Sequence, residues 1–410
     1  MLAGDTELVR AINRYQVLHA IRRFEPVCRA EIGRHTGLGR TTISAITASL
    51  LGEDVIRYDQ GEPRGVSARG RPRELLRMNP NFAYVVGAKL SMHQISVAVT
   101  NLRAEPLASV VVPVRNWAVG PDGIANMVED AIRAAIVKAG TDLTRIAGVG
   151  LGVPGFVDSV TGVSQWSPIL GEQPVPFTEM MRARLGVMTL IENDANLVTL
   201  AERWFGCGQD VENFVVVTVE GGVGMGHFIH GDLYHGHHGM GTEFGHIKID
   251  RHGPPCRCGQ NGCVEAFAAD YAILREARNL AGLPPVHDEI AIELGMRDVT
   301  RRARAGDPAL VDLFRRVGET LGLGIANLVN LLDPGRVILT GAGLRAADLI
   351  EPALREALAA NSLSVLKGRC ELVFHTWTDE VWARGSAALV LQGLYREPWR
   401  GATRVVSEVV

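Results

Sequence analysis

From Leu8 onward, apolar residues recur at helical intervals at Ile12, Leu18 and Ile21, and Pro26 ends the pattern. Residues 29–36 (RAEIGRHT) predict a short second helix, Gly37-Leu38-Gly39 a tight turn, and residues 40–51 (RTTISAITASLL) a third helix. In that third helix Ile43, Ile46 and Leu50 share one face at i, i+3 and i+7, which leaves Arg40, Thr41, Thr42 and Ser44 on the outer side of its first turns. Three helices at this spacing predict a helix-turn-helix, whose recognition helix meets base edges with its N-terminal residues. A strand at 55–58, a Gly/Arg-rich loop at 59–72 and a returning strand at 74–78 predict a wing. Arg64, Arg69 and Arg71 lie on that wing, with Arg73 beside it, and suit phosphate contact or minor-groove insertion. The helix starts lack the usual hydroxyl caps, since Cys28 precedes the second helix and Gly39 the third.

Beyond Asn79-Pro80 the pattern changes. Strands are expected at 84–90, 95–100 and 108–114, then a helix at 123–139 and strands at 146–153 and 187–191. A second set follows: strands at 214–219 and 228–230, helices at 263–281 and 308–332, a strand at 336–340 and a last helix near 385–394. Two alternating sets predict an α/β fold of two lobes with a cleft between them. The expected division is 1–80 for the winged helix-turn-helix, 81–205 for the first lobe and 206–410 for the second, which would carry the cysteine loop and dimerisation helices.

Composition agrees with a multidomain globular chain: 410 residues, 47% hydrophobic, 21% charged, 46 Gly and 19 Pro. The net charge of −3 argues against nucleic acid only while it is averaged. Residues 1–80 hold 13 Arg, no Lys and 9 acids, a charge of +4, and the remainder carries −7. A basic terminal module on an acidic body is the asymmetry of a nucleic-acid reader joined to something else. The first ten residues lack the apolar stretch of a secretion signal and no apolar run approaches a membrane span, so a cytoplasmic location and no membrane partner are expected.

Cys28, Cys207 and Cys370 are scattered, whereas Cys256, Cys258 and Cys263 sit together behind His246. Three thiolates and one imidazole fill the coordination sphere of a tetrahedral structural Zn2+. Glu243 and Glu265 flank this loop. His235, His237 and His238 lie among glycines and predict an exposed loop. In Glu192-Asn193-Asp194-Ala195-Asn196 a strand ends and a helix begins, so Asp194 can project into the cleft as a general base or a hydroxyl acceptor, or either Asn193 or Asp194 can simply cap the helix. Gly-rich turns at 221–226 and 341–343 could admit phosphate to backbone amides, but no Walker Lys-Ser/Thr follows either one.

Together, RAEIGRHTGLGRTTISAITASLL, GVGLGVPGFVD, ENDAN, GTEFGH, CRCGQNGCVE and NLLDPGRVILTGAGL resemble the ROK family of repressors and sugar kinases, in particular its regulator branch with an N-terminal winged helix-turn-helix. The resemblance covers essentially the whole chain. It implies an actin-like, two-lobed sugar-kinase fold and homodimers or homotetramers. It also implies hexose contacts at Asn193, Asp194, Glu243, His246 and Glu265, with His246 bridging metal and sugar. In the family's kinases the residue matching Asp194 is the general base.

Three departures bear on activity. The Asp-x-Gly-Gly-Thr phosphate motif of the kinases is replaced here by Lys89, Ser91, Met92 and His93. Their Gly-Thr-Gly phosphate turn is replaced by Glu220-Gly221-Gly222, and their Pro-Asn-Leu sugar segment by Pro168-Ile169-Leu170. The resemblance thus implies no catalytic residue and no enzyme. It points to a sugar-responsive DNA-binding transcriptional regulator, a repressor of genes for carbohydrate uptake or metabolism, binding double-stranded operator DNA and a monosaccharide or sugar-derivative effector. The alternatives are an active ATP-dependent sugar kinase with a DNA-binding appendage, and a repressor controlled by a partner protein, as in relatives that bind transporter components.

Overall fold

The computed structural model describes residues 3–59, 74–114, 119–282, 289–377 and 379–394. The N-terminal part comprises α1 (Ala3–Phe24), β1 (Val27–Cys28), α2 (Arg29–Thr36), α3 (Arg40–Gly52), β2 (Ile56–Tyr58) and β3 (Leu75–Met78), the strands forming an antiparallel sheet in the order β1-β3-β2. Cys28 starts α2 without a hydroxyl, and Glu31 compensates by accepting a hydrogen bond from the Cys28 backbone N–H at 3.1 Å. α2 stops at Gly37, whose φ of 72° is the left-handed conformation that glycine adopts without strain. On α3, Ile43 and Leu50 are buried as expected, but the core position between them is Thr47 and not Ile46, which is only half-buried. Thr47 tolerates burial because its hydroxyl accepts from Arg29 Nε at 2.9 Å.

The first large sheet holds β4 (Tyr84–Leu90), β5 (Gln94–Asn101), β6 (Pro106–Pro113), β7 (Ile146–Val153) and, later in the chain, the strand Thr189–Asn193. α4 (Gly120–Lys138) buries Ile124, Val128, Ile132 and Ile136 against it. The hairpin β8 (Phe156–Asp158) and β9 (Val163–Trp166) and the helix α5 (Phe177–Leu185) lead into that last strand, β10. The order is β10-β7-β4-β5-β6, with the first three strands parallel. The helix α6 (Asp194–Phe205) follows β10 directly.

The second sheet holds β11 (Phe214–Val219), β12 (Val223–Ile229) and β13 (Asp232–Leu233). Downstream come α7 (Glu265–Ala268), α8 (Asp270–Ala281), α9 (Glu289–Arg304), α10 (Pro308–Leu332), β14 (Arg336–Thr340), α11 (Ala347–Asn361), β15 (Glu371–Phe374) and α12 (Asp379–Leu394). Its order is β13-β12-β11-β14-β15. Three expectations change here. The glycine run at 221–226 is a turn only at its start. Gly224 and Gly226 lie in β12, where a Cβ on Gly226 would come within 2.0 Å of Thr199 Oγ1 on α6. The helix expected over 263–281 breaks at Ala269, because the Asp270 N–H donates to the Glu220 carbonyl and the Asp270 carboxylate pairs with Arg345. Helix α12, grouped by sequence with the second set, returns to pack on β4, β5 and β7 of the first sheet.

One hydrophobic cluster joins the N-terminal module to the body: Val17, Ile21, Ile32, Ile43, Leu50 and Leu76 share it with Val85, Ala387, Val390 and Leu391. At its edge Arg22 lies over Trp204 of α6, 4.3 Å from the ring centroid. His19, also on this seam, is held down to about pKa 4 by burial and then by Arg22, Arg23 and Arg203. A depressed histidine contributes stability that is complete above its ordinary value near 6.5 and lost as pH falls toward 4. Acidification through that window is therefore expected to lower the melting temperature, and His19→Gln to flatten the dependence. Melts of the variant as steep with pH as the wild type would remove His19 from the explanation.

Candidate functional site

α6 places the first elements of the cleft. Asn193 is its N-cap, accepting from Ala195 N at 2.8 Å while its Nδ2 donates to Gly155 O at 2.7 Å, which ties the helix start to the β7–β8 turn. Asp194 is the first residue of α6, and burial pushes its carboxyl up, with Lys89 and the Ala195 amide pulling the other way. On the loop after β13, Glu243 keeps part of its surface exposed, yet its carboxyl is pushed up to about 7, first by desolvation and then by Asp194 and Glu265 nearby. Glu265 Oε2 accepts from Val223 N at 3.2 Å, and its Oε1 lies 3.4 Å from Tyr271 Oη. A carboxyl raised by desolvation and by two neighbouring acids, beside a second carboxyl raised by burial, marks a candidate site lined by hydrogen-bond acceptors.

His246, the fifth residue of this set, closes a short helical turn, its backbone N–H donating to Glu243 O at 3.0 Å. Its ligand atom and those of Cys256, Cys258 and Cys263 all lie within 4.8 Å of one another. Cys256 Sγ is 3.7 Å from His246 Nδ1, and Cys258 Sγ is 3.7 Å from Cys263 Sγ. A tetrahedral ion with metal–sulfur bonds of about 2.3 Å would set sulfur–sulfur edges of about 3.8 Å, so the donor set fits an ion of that size. Lys248 Nζ, 3.0 Å from Cys263 Sγ, supplies a further hydrogen bond to the thiolates. Gly262 makes the bend possible: its φ is 70°, and a Cβ there would fall 1.4 Å from Asp250 O.

The phosphate-turn substitutions meet in the cleft as well. Lys89 acts on both Asp194 and Glu220, lowering each against the rise that burial causes. Glu220 Oε1 accepts from Ala342 N at 3.3 Å, so an internal carboxylate already takes an amide of the Gly341–Gly343 turn. Ile169 and Leu170, in place of the sugar segment, are buried in the core of the first sheet. Of the three loop histidines, His237 and His238 are exposed, but His235 is not free: its Nε2 lies 2.7 Å from Glu192, a carboxylate with 1% of its side chain exposed. No spacing signal ties His235 to Glu192, 43 residues away.

On the N-terminal module, Arg40, Thr41 and Ser44 are exposed at the start of α3, whereas Thr42 is half-buried. Arg29, Arg57 and Arg77 on this module are paired with Glu74, Asp54 and Asp59 respectively. Arg64, Arg69 and Arg71 lie outside the described residues. Among the described residues no helix is long and apolar enough to cross a membrane.

The sequence profile of the ROK family matches residues 85–393. The chain is 27% identical over 403 residues to the xylose repressor of Caldicellulosiruptor bescii, covering 96% of this chain and 99% of that one. A crystal structure of a ROK family transcriptional regulator, a homologue of the Escherichia coli MLC protein, superposes with a TM-score of 0.82 at 26% identity, covering 98% of this chain and 99% of that one. A ROK hexokinase from Thermus thermophilus superposes with a TM-score of 0.65 at 32% identity, covering 97% of that chain but only 74% of this one.

Proposed function

The chain belongs to the ROK family, and from that premise we propose that it is a sugar-responsive DNA-binding transcriptional regulator, a repressor of genes for carbohydrate uptake or metabolism. The observation that carries this reading is the difference in coverage. The regulator matches 98% of the chain, whereas the hexokinase is almost fully used up on 74% of it. The family profile begins at residue 85, so the part left over includes the helix-turn-helix module. In this reading residues 1–80 bind double-stranded operator DNA through Arg40, Thr41, Thr42 and Ser44 and through the wing arginines Arg64, Arg69 and Arg71. The protein acts as a homodimer or homotetramer on a pseudo-palindromic site.

The effector, a monosaccharide or sugar derivative, is held by Asn193, Asp194, Glu243, His246 and Glu265. Zn2+ on His246, Cys256, Cys258 and Cys263 would fix the loop that carries three of these residues; when bound, the ion supplies a rigid anchor and no chemistry on the sugar. Turnover is not part of the function. Glu220 occupies an amide of the turn that would cradle phosphate, and Lys89 replaces the carboxylate that would help hold Mg-ATP.

The route from sugar to DNA is α6. Its 12 residues span about 18 Å, with Asn193 and Asp194 bounding one end and Trp204, beneath Arg22 of α1, at the other. A ligand that draws the N-terminal end of α6 toward Glu243 and Glu265 displaces the end on which the DNA module rests, and so biases the DNA-competent state.

The test is a titration of the protein onto DNA from upstream of its own gene, across a panel of monosaccharides and their derivatives. One sugar is expected to weaken binding by roughly 5- to 150-fold, and Arg40→Ala to weaken it by about 1–3 kcal/mol without sugar. An affinity indifferent to every sugar, or sugar-dependent release of ADP from ATP, would overturn the proposal.

A further inference from the structure

Away from the cleft, at the opposite end of α6, Glu202, Cys207 and His375 bring a carboxylate oxygen, a thiol sulfur and an imidazole nitrogen within 4.8 Å of one another. We infer that these three side chains form a second metal site, one that takes a borderline divalent ion of the zinc or cobalt type and is separate from the cysteine loop.

The observation that calls for an ion is Glu202. Its side chain is 0% exposed, and its one ion-pair partner among the described residues is His375, with Nδ1 2.8 Å from Oε1. The remaining contacts are neutral donors: Trp377 Nε1 to Oε1 at 2.5 Å and the Cys207 N–H to Oε2 at 2.7 Å. A buried carboxylate is costly unless positive charge answers it, and among the described residues no Lys or Arg pairs with Glu202. A divalent cation supplies that charge: carboxylate, thiolate and neutral imidazole together carry −2.

The donor set is also selective. Sulfur and imidazole favour zinc, cobalt or copper over magnesium and calcium. Three protein ligands leave a fourth position open, unlike the closed set at His246, Cys256, Cys258 and Cys263.

The surroundings hold the donors in place. The Trp377 and Cys207 N–H groups orient the carboxylate as outer partners of a metal ligand do. Gly206 lets the chain turn against it, since a Cβ there would fall 2.0 Å from Glu202 Oε2 and 2.7 Å from the Trp377 ring. His375 is 28% exposed and Cys207 half-buried, which gives an ion a way in from solvent. The ligands come from the last turn of α6, the loop after it and the segment following β15, so an ion would staple the end of α6 to the approach to α12.

The experiment is Co2+ titration of the full-length protein, stripped of metal and kept reduced, with metal per chain measured after desalting and thiolate–cobalt absorption followed in the near ultraviolet. The wild type is expected to bind two ions per chain. Cys207→Ser and His375→Gln should each bind one, with the absorption of the cysteine loop retained. Cys258→Ser should keep one ion at the new site and lose it when combined with His375→Gln. Retention of the loop absorption reports that a variant has folded. A wild type that binds one ion, or Cys207→Ser and His375→Gln proteins that still bind two, would overturn the inference.

Discussion

Cys263→Ser is expected to empty the cysteine loop of metal and to lower the melting temperature by roughly 10 °C. Cys263 is fully buried, and its sulfur is approached by both Cys258 Sγ at 3.7 Å and Lys248 Nζ at 3.0 Å. Without the ion, the serine variant leaves two thiols and an imidazole around an unfilled space, and the exposed Lys248 ammonium loses its sulfur partner. Structural zinc contributes on the order of 10 kcal/mol to isolated small modules. In a body with its own core only part of that is at stake, and a loss of several kcal/mol corresponds to about 2–4 °C each for domains of this size. The damage should also reach the cleft, because Glu265 lies two residues on and fixes Val223 N at 3.2 Å. Metal analysis and thermal melts of the variant decide the point; unchanged zinc content with an unchanged melt would refute the assignment of the ion.

Asp194→Asn is expected to move the sugar response to roughly 10- to 100-fold higher concentration while leaving operator affinity intact. The substitution keeps the shape of the side chain and an oxygen for the Ala195 amide, which Asp194 Oδ1 meets at 2.9 Å, so α6 should still start where it does. It removes the charge that Lys89 and the neighbouring carboxylates act on. A sugar hydroxyl donating to a charged acceptor in a desolvated site contributes about 1.5–3 kcal/mol, so sugar affinity should fall by roughly 10- to 100-fold. Calorimetry with the sugar and gel shifts on the operator separate the two outcomes. A variant that still releases DNA at the wild-type sugar concentration would place effector binding elsewhere.

Much of this was legible before any coordinates, and for a common reason. The helix-turn-helix, the buried strand 146–153 and the long helix at 308–332 are local patterns, in which a run of apolar positions at one period decides the element. The clustering of His246 with the three cysteines was legible because the four lie within 18 residues and glycines mark the bends. Long-range pairings gave no such signal. Glu202 and His375 are 173 residues apart, and neither carries a motif. Thr47 replaced Ile46 in the core because Arg29 satisfies its hydroxyl, a partner visible only after α2 and α3 are docked. The break at Ala269 likewise depends on the Glu220 carbonyl, 50 residues upstream of the Asp270 amide it binds.

The hydrophobic cluster shared by the DNA module and the body has a consequence for how such a protein could have been assembled and dismantled. Ile32, Ile43 and Leu50 belong to one apolar cluster with Val390 and Leu391, which enter the chain more than 300 residues later. Severing the chain after Pro80 would not yield an autonomous reader of operators. It would expose an apolar face on each fragment, so truncated products should be prone to aggregation and proteolysis, and a free module competing for the operator is not available by simple cleavage. The apolar seam around the N-terminal module is therefore complete only once α12 has been made.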